Sequence, residues 1–590
     1  MHPQTLLRTL CACLAALLAA ALPGNPQSPP GSQSSLAGSG DRPPAILTAT
    51  RLVRVSVVAR DKHGQPITDL GRDDFRIFDD GKEQKIAFFS LLQTRPGRPV
   101  PASLPSGTWT NKAPEGVETP ENLTLILLDG LNTTIHDAAY ARQHLADFLS
   151  RLQPGDRVAL YCLGSELREV QDFTSDSRAL LQALVRDKPY NGPQIAEPGR
   201  DTLTDAVNLF LHSATDAANE AVVINRAYRT AAALEAIARH VSSLPGRKNL
   251  IWVSAAFPIS LGFDGLPVQP PNSSFRPDDR NFLSLVEEAA RALNDADMAI
   301  YPVDAAGLVA PINAATNTAW MRTPMRSGRP TNGGLTSMGT PLEYARDTMI
   351  ALAGRTGGHA FYETNDVPGA IREVIDEGKA VYSLAYTPTH NEWNGKFRQI
   401  KVETRRSGVK LSYRQGYFAL PDRTLSGEQS EWIAEQARSS PMNATEIRLT
   451  AHARRASSES VTQLALLLDA DFRDLRFEER DGMHAADLLL VSCHEAADGR
   501  TVGGSTNLLK LRLHANEYKQ VEEYGLRMTV KTDLEAGARI IRLIVVDGGT
   551  GRVGSVDIPV ADALSAAGLQ RPAAEGGAGG PPGATEKPQL

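Results

Sequence analysis

The sequence predicts an α/β domain with a mostly parallel sheet, flanked by a small N-terminal β module and a C-terminal β-sandwich. Three observations lead to this prediction. A buried-type strand, 123–128, stops abruptly at Asp129 and opens a series of alternating strands and helices. Apolar and polar residues alternate in short runs before that series, over 48–93, and after it, over 440–562. We therefore expect three folded units in 590 residues, since single domains usually contain roughly 100–200 residues.

The amino terminus has the pattern of an export signal. Arg8 precedes an apolar run, 10–22, that ends in small residues suited to cleavage. This run is shorter than the ~20 apolar residues of a membrane-spanning helix. We predict a signal peptide over 1–23, a linker rich in Gly, Ser and Pro over 24–47, no transmembrane segment in the mature chain, and a secreted or periplasmic location.

Charge and cysteine content narrow the class of protein. A net charge of −6 and a pI near 6.1 argue against the concentrated basic face of a nucleic-acid binder. Only Cys162 and Cys493 lie beyond the signal peptide, and they fall in different predicted domains. We therefore expect two buried thiols rather than a disulfide framework.

The N-terminal β module is predicted over 48–93. Within it, Asp79-Asp-Gly-Lys82 has the composition of a tight hairpin turn, because Asp-Gly supplies the positive φ that such turns require. The segment 85–90 is predicted to close this hairpin. Residues 94–121, rich in Pro, Gly and Thr, are predicted to be a loop.

The α/β domain is predicted over 121–380, because strands there alternate with amphipathic helices. Its predicted strands are 123–128, 158–163, 249–254 and 298–303, and its predicted helices are 137–152, 177–186, 228–244 and 282–296. Long insertions are expected to surround one end of the sheet, and loops of this length are commonly functional; they are 189–219, 262–280 and 311–339.

The remainder of the chain is predicted to be mostly β. A β extension over 381–420 follows the α/β domain, and a helical connector near 428–438 leads to a β-sandwich over 440–562. The tail, 563–590, is heavy in Ala, Gly and Pro and is expected to be disordered.

Several motifs occur together and in order along the chain: Asp129-Gly-Leu-Asn-Thr133, Pro154-Gly-Asp-Arg157, Leu244-Pro-Gly-Arg-Lys-Asn-Leu-Ile-Trp252, Tyr301-Pro-Val-Asp-Ala-Ala-Gly307 and Gly357-Gly-His-Ala-Phe-Tyr362. With the flanking segments 73–81 and 382–388, they resemble the von Willebrand factor A-related proteins of acidobacteria. The resemblance covers roughly 48–420. It implies a von Willebrand A-like, doubly wound α/β fold.

Domains of the von Willebrand A type usually carry a metal-ion-dependent adhesion site. In that site a divalent cation sits on an Asp-x-Ser-x-Ser loop, a Thr from a second loop and an Asp from a third. The resemblance implies that Asp129 and Thr133 are first-loop ligands, but Leu131 stands at the position of the middle Ser. Asn132, next to it, could supply a carbonyl oxygen.

The other two loops of this implied site are also altered. Thr230 is the candidate for the second-loop Thr, with Thr202 as a rival. On the third loop, Ala255 stands where the Asp is usual, and Ser254 offers the nearest oxygen. The implied ligand set for Mg²⁺ or another divalent cation is therefore Asp129, Asn132, Thr133, Thr230 and Ser254.

A second interpretation of the first loop needs no metal. Short oxygen-bearing side chains satisfy the free N–H groups at a helix start, so Asp129, Asn132 and Thr133 are also candidates for capping the next helix. The positive end of that helix disfavours a cation unless enough carboxylate offsets it. The two interpretations are not exclusive.

The sequence contains none of the common catalytic motifs for hydrolysis, phosphate binding or thiol redox chemistry. His359 is expected to be a packed or surface histidine. We therefore predict a non-enzymatic, exported binding or adhesion protein that holds an unknown protein or surface polymer. Two alternatives are a structural component of an envelope assembly with a vestigial site, and a hydrolase acting near Asp129 and Asp304.

Overall fold

The computed structural model describes residues 52–93, 104–112, 122–153, 155–188, 225–254, 279–305, 341–362, 364–390, 392–419, 425–455 and 463–568. The predicted signal peptide and linker, and nearly all of the three insertions and the tail, lie outside these ranges. Within them, no helix combines the length and the apolar character needed to span a bilayer.

The strands are numbered in chain order: β1 Val53–Arg60, β2 Phe75–Asp79, β3 Lys82–Gln84, β4 Ile86–Gln93, β5 Thr108–Thr110, β6 Asn122–Asp129, β7 Val158–Leu163, β8 Leu167–Thr174, β9 Arg247–Ser254, β10 Met298–Asp304, β11 Ala380–Tyr386, β12 Phe397–Thr404, β13 Lys410–Ser412, β14 Gly416–Phe418, β15 Leu449–Arg455, β16 Gln463–Ala470, β17 Glu478–Arg480, β18 Met483–Glu495, β19 Thr501–Leu513, β20 Leu526–Asp533, β21 Ile540–Asp547 and β22 Val553–Pro559. The helices are α1 Ile135–Leu149, α2 Ser177–Arg186, α3 225–240, α4 Asp279–Asp295, α5 Pro341–Thr356, α6 Val367–Glu377, α7 Gly427–Ser439, α8 Ala515–Tyr524 and α9 Val560–Ala566.

The central sheet of the α/β domain has the order β10-β9-β6-β7-β8. The first four strands are parallel, and β8 runs antiparallel to β7. Helices α3, α4 and α5 cover one face, and α1, α2 and α6 cover the other. The predicted mixed α/β fold with parallel strands is therefore confirmed. Strand β8 was not predicted, because its residues are mostly exposed and lack a clear apolar alternation.

Strand β6 shows why the central strands of this sheet have long apolar runs in the sequence. Leu125 and Leu127 pack with the helices on one face, whereas Ile126 and Leu128 pack with those on the other. A strand buried on both faces needs apolar residues at nearly every position. Because side chains alternate along a strand, Asp129 points to the same side as Leu127, which is the side covered by α3.

The two β segments that flank the α/β domain form one body. Strand β1 pairs with β11 and β13, and β4 also pairs with β11. In the second sheet, β12 pairs with β2 and β14. The segments predicted as 48–93 and 381–420 therefore share two four-stranded sheets around one core. Neither half alone offers enough apolar surface for an independent core, which is the physical reason for the pairing.

The predicted hairpin turn is confirmed, but the strand that closes it is different. Asp80 and Gly81 both have positive φ, at 44° and 80°. The short strand Lys82–Gln84 closes the hairpin, and the chain then passes to the other sheet, where β4 pairs with β11. Ile86 is buried in the core between the sheets, which favours this crossing over the continued hairpin expected for 85–90.

The C-terminal part is built from two β-sheets around a shared apolar core. One sheet has the order β20-β16-β15-β5, and the other contains β17, β18, β21 and β22, with β19 on β18. Strand β5 lies in the segment 94–121 that was predicted to be a loop. Asn111 fixes it there, because its Nδ2 donates to the carbonyl oxygens of Ala444 and Ile447 at 2.7 and 2.9 Å. The helix α9 includes the first residues of the predicted disordered tail.

Strand β9 begins with three buried polar residues, of which Lys248 is 2% exposed. Its Nζ donates to the carbonyl oxygen of Leu244 at 2.7 Å. Burial lowers the pKa of Lys248 to about 8. The unfolded chain keeps a lysine pKa of about 10.4, so between these two values the unfolded chain binds more protons and stability rises with pH.

This burial cost gives a prediction for Lys248→Met. The variant is expected to raise the free energy of unfolding at pH 7 by about 1–3 kcal/mol, because the ammonium charge is no longer buried. It should also remove the rise in stability between about pH 8 and pH 10. Denaturant unfolding across this pH range measures both effects, with the exposed Lys62→Met as control. If Lys248→Met keeps the same rise in stability with pH as the wild-type protein, the rise does not come from Lys248.

Candidate functional site

Three polar residues end neighbouring strands at the carboxyl edge of the central sheet. Asp129 ends β6, Ser254 ends β9 and Asp304 ends β10. The parallel register aligns Leu128 with Val253 and Ser254 with Asp304. Ligands of open α/β sheets bind at this edge, beyond the carboxyl ends of the strands.

The carboxylate of Asp129 is buried, at 2% exposure, and accepts four hydrogen bonds. Its Oδ1 accepts the backbone N–H of Asn132 at 3.0 Å. Its Oδ2 accepts from Asn132 Nδ2 at 2.8 Å, from Ser254 Oγ at 2.8 Å and from Trp252 Nε1 at 3.0 Å. Four donors match the acceptor capacity of an ionised carboxylate.

The side-chain amide of Asn132 extends this network to α3. Its Nδ2 donates to Thr230 Oγ1 at 2.8 Å as well as to Asp129 Oδ2 at 2.8 Å. Thr230 is fully buried, and its hydroxyl donates to the carbonyl oxygen of Arg226 at 2.8 Å. The amide nitrogen therefore lies between the two oxygens that a bridging cation would contact.

The remaining loop residues take other roles. Leu131 is buried in the core beside α3, so its side chain replaces the oxygen expected at this position with apolar packing. Thr133 is buried and lines a small cavity together with Asp129. The N-cap of α1 is Thr134, whose Oγ1 accepts from Asp137 N at 3.2 Å. The structure thus places helix capping on Thr134 and not on the residues predicted for it.

Burial raises the pKa of the Asp129 carboxyl, and the hydrogen bonds from Asn132, Ser254 and Trp252 oppose that rise. Hydrogen bonds that favour the charged form lower a carboxyl pKa, whereas removal from water raises it. The N-terminus of α1 begins six residues after Asp129. Its positive end favours an anion at this edge and disfavours a cation.

The site residues do not fit a hard divalent cation in this arrangement. Mg²⁺ requires near-octahedral oxygen ligands, including at least one accessible carboxylate oxygen. Both oxygens of Asp129 are already engaged, Oδ1 by one donor and Oδ2 by three, and Asn132 presents a donor where a ligand oxygen is needed. The arrangement instead joins the end of β6, the first loop, α3 and β9 through one carboxylate.

A small cavity lies beside this network on the α1 side of the sheet. Its volume is about 30 Å³, and Cys162, Arg142 and Asp187 line it with Asp129. Arg142 Nη1 contacts Asp187 Oδ2 at 3.0 Å. Burial and the nearby Asp187 raise the pKa of the Cys162 thiol, so it stays protonated and unreactive. Cys162 and Cys493 are both buried and free, which confirms the expected pair of thiols.

Four of the residues implied by the resemblance thus belong to one network, in which Asn132 and Ser254 donate to the carboxylate of Asp129 and Asn132 also donates to Thr230. Thr133 lies on the same loop and faces the cavity. The rival Thr202 lies outside the described residues. The sequence analysis missed Trp252. It lies in an apolar strand beside Leu127, and nothing in that pattern indicates that its indole N–H reaches the carboxylate of Asp129.

A second polar cluster lies elsewhere, where α6 meets the β module. His359 Nε2 is 3.9 Å from Glu373 Oε1 and 3.9 Å from Glu377 Oε1. Burial lowers the pKa of His359 to about 4, and burial raises the pKa of Glu377. His359 packs against aromatic rings, as predicted, but its carboxylate neighbours were not anticipated. The only sequence signal was the spacing of two Glu residues four positions apart on one helix.

No protein-family model matches the sequence, and no curated protein matches it. Among solved structures, the chain is similar to an aerotolerance-related membrane protein from Bacteroides fragilis, with 12% identity over 43% of this chain and 98% of that one, at a TM-score of 0.24. It is similar to the vWF domain of the type V pili tip protein Mfa5 from Porphyromonas gingivalis, with 12% identity over 43% and 93% of the two chains, at a TM-score of 0.23.

A further similarity is to proximal thread matrix protein 1 from the mussel byssus, with 9% identity over 45% of this chain and 48% of that one, at a TM-score of 0.23. TM-scores this low do not support a fold assignment on their own. The assignment to an α/β fold with a parallel central sheet rests on the strand order and the two helical layers.

Proposed function

We propose that this chain is an exported binding protein whose α/β domain holds a protein or a surface polymer at the carboxyl edge of its sheet. In this proposal the Asp129 network is a rigid base for that edge and does not need a cation. The observation that carries it is the carboxylate of Asp129, which accepts four hydrogen bonds from the first loop and β9. Preorganised loops on a rigid sheet are suited to recognition.

The route of the chain supports the choice of this edge. Strand β9 ends at Ser254 and β10 ends at Asp304, so the long segments 255–278 and 306–340 both start there. Lys188, which precedes the segment 189–224, lines the same cavity as Asp129. Long connections that leave one edge of a rigid domain commonly carry its binding function.

The experiment places a photo-crosslinking amino acid on this edge and on the opposite end of the same domain. Glu166 is exposed in the turn between β7 and β8 at the carboxyl edge, and Arg178 is exposed at the start of α2. In the envelope fraction of the cells that make the protein, position 166 is expected to give a discrete crosslinked species that position 178 does not give. Equal crosslinking, or none at position 166, would contradict the proposal.

A divalent cation at Asp129 is the second candidate, and one observation favours it. Asn132 Oδ1 is buried and accepts no hydrogen bond. Turning the amide over would place this oxygen between Asp129 Oδ2 and Thr230 Oγ1, an arrangement that a bound cation would make favourable.

Calorimetric titration with Mg²⁺ separates the two candidates. If the network needs no cation, the protein shows no saturable Mg²⁺ binding. If a cation binds at Asp129, the protein binds Mg²⁺ and Asp129→Asn abolishes that binding. Mg²⁺ is the suitable probe because it prefers all-oxygen sites and discriminates against the His-containing cluster near α6. Saturable Mg²⁺ binding that depends on Asp129 would overturn the cation-free proposal.

A further inference from the structure

The cluster near α6 brings three potential metal ligands together. His359 Nε2, Glu373 Oε1 and Glu377 Oε1 lie within 4.8 Å of one another. The fold brings them together from two directions. Glu373 and Glu377 lie one turn apart on the same face of α6. His359 comes from the segment beside β10, where Phe361 forms a bridge with Val303.

The ligand atoms are oriented by their neighbours. Glu377 is 2% exposed, and its Oε2 accepts the hydroxyl of Tyr301 at 3.2 Å. Arg247 Nη2 in turn donates to that hydroxyl at 3.2 Å. The other carboxylate oxygen of Glu377, Oε1, is buried and faces both His359 and the guanidinium of Arg60. Such outer contacts fix the orientation of ligands in metal sites.

The imidazole of His359 is held by two aromatic rings. The ring of Tyr301 is edge-on to it at 5.3 Å, and the ring of Phe361 lies 4.6 Å away. These contacts direct Nε2 toward both carboxylates. The distances suit a compact ion, since Zn²⁺ bonds of about 2.0–2.2 Å place tetrahedral ligand atoms about 3.3–3.6 Å apart. The observed 3.9 Å separations need to close by only a few tenths of an ångström.

A cationic side chain already lies at the focus of this cluster. Arg60, the last residue of β1, forms ion pairs with Glu377 and with Glu373, the latter at 2.9 Å. The same oxygens that face His359 therefore hold a guanidinium group. The side chain of Arg60 keeps 15% exposure.

We propose that His359, Glu373 and Glu377 form a binding site for a borderline divalent cation of the Zn²⁺ class, for which Arg60 competes. One imidazole and two carboxylates are a ligand set that Zn²⁺ accepts, with water in the fourth position. Because Arg60 belongs to the β module, zinc would replace a contact between that module and α6. This site is separate from the Asp129 network and does not depend on the function proposed for it.

Calorimetric titration with Zn²⁺ alone tests the site. Arg60→Met is expected to raise zinc affinity by about tenfold or more, because the competing positive charge is removed while most of the side-chain volume is kept. Adding His359→Ala to Arg60→Met is expected to reverse that gain. The exposed His63→Ala is the matched control and should change nothing. An Arg60→Met affinity equal to wild type, or one that His359→Ala leaves intact, would overturn the proposal.

A second measurement covers the case in which Arg60→Met does not fold. Wild-type protein at saturating Co²⁺ is expected to show the strong visible absorption of a tetrahedral site. Glu377→Gln should lose this absorption and His63→Ala should keep it. Absence of the band in wild-type protein, or its persistence in Glu377→Gln, would show that the cluster is an ion-pair contact only.

Discussion

Replacing Asp129 by alanine is expected to lower the free energy of opening of β6 by about 3–5 kcal/mol. Four buried or partly buried donors, from Asn132, Trp252 and Ser254, would lose their acceptor together. Each unsatisfied buried donor costs about 1–3 kcal/mol, and removal of the buried charge offsets part of the sum. The Asp129→Ala substitution should also release the first loop from α3, because Asn132 would no longer be held against Thr230.

Native-state hydrogen exchange of the β6 amides measures this effect, because it reports the opening of one element in a chain with several domains. Asp147→Ala is the matched control, since Asp147 is exposed on α1. It should change the opening free energy by less than about 0.5 kcal/mol. A loss below about 1 kcal/mol in Asp129→Ala would mean that the network does not hold this edge together.

Arg247→Ala is the second substitution with a large expected effect. It should lower the free energy of opening of β1 and β10 by about 3–5 kcal/mol. Arg247 is buried, and its guanidinium joins three parts of the chain. It donates to the carbonyl oxygen of Ser56 in β1 at 3.2 Å, to that of Gly357 at 2.8 Å and to the hydroxyl of Tyr301 at 3.2 Å. Its removal would leave these acceptors unpaired and would withdraw positive charge from the vicinity of Glu377.

Hydrogen exchange of β1 and β10 should both accelerate in this variant, because Arg247 connects them. Arg247→Lys is expected to recover less than half of the loss, since an ammonium group cannot reproduce the planar fork that reaches three acceptors. Arg405→Ala, at an exposed position, is the control. Acceleration confined to β10 would contradict the account of Arg247 as a link to the β module.

The sequence predicts the α/β core well for a physical reason. Strands buried on both faces contain near-continuous apolar runs, and such runs mark β6, β7, β9 and β10 without reference to the rest of the chain, although β9 begins with three buried polar residues. The position of the site follows from the same property, because Asp129 and Ser254 are the polar residues that end two of these apolar runs. Parallel strands bring these ends together.

Features that depend on distant pairing were not predictable in this way. The union of β1 with β11, and the addition of β5 to the C-terminal sheet, join segments hundreds of residues apart and leave no local pattern. Hydrogen-bond direction was also hidden. In the sequence, Asn132 is compatible with an oxygen ligand and with an amide donor. The structure shows that both of its neighbours accept, because the Thr230 hydroxyl already donates to Arg226 and Asp129 is a carboxylate, so the amide nitrogen faces both.

The central claim is that the Asp129 network is complete without a cation. The most direct test is the free energy of opening of β6, measured by hydrogen exchange in excess Mg²⁺ and in EDTA. The account predicts equal values in the two buffers. A site filled at 100 times its dissociation constant would add about 2.7 kcal/mol in Mg²⁺. An increase of that size, abolished by Asp129→Asn, would contradict the claim.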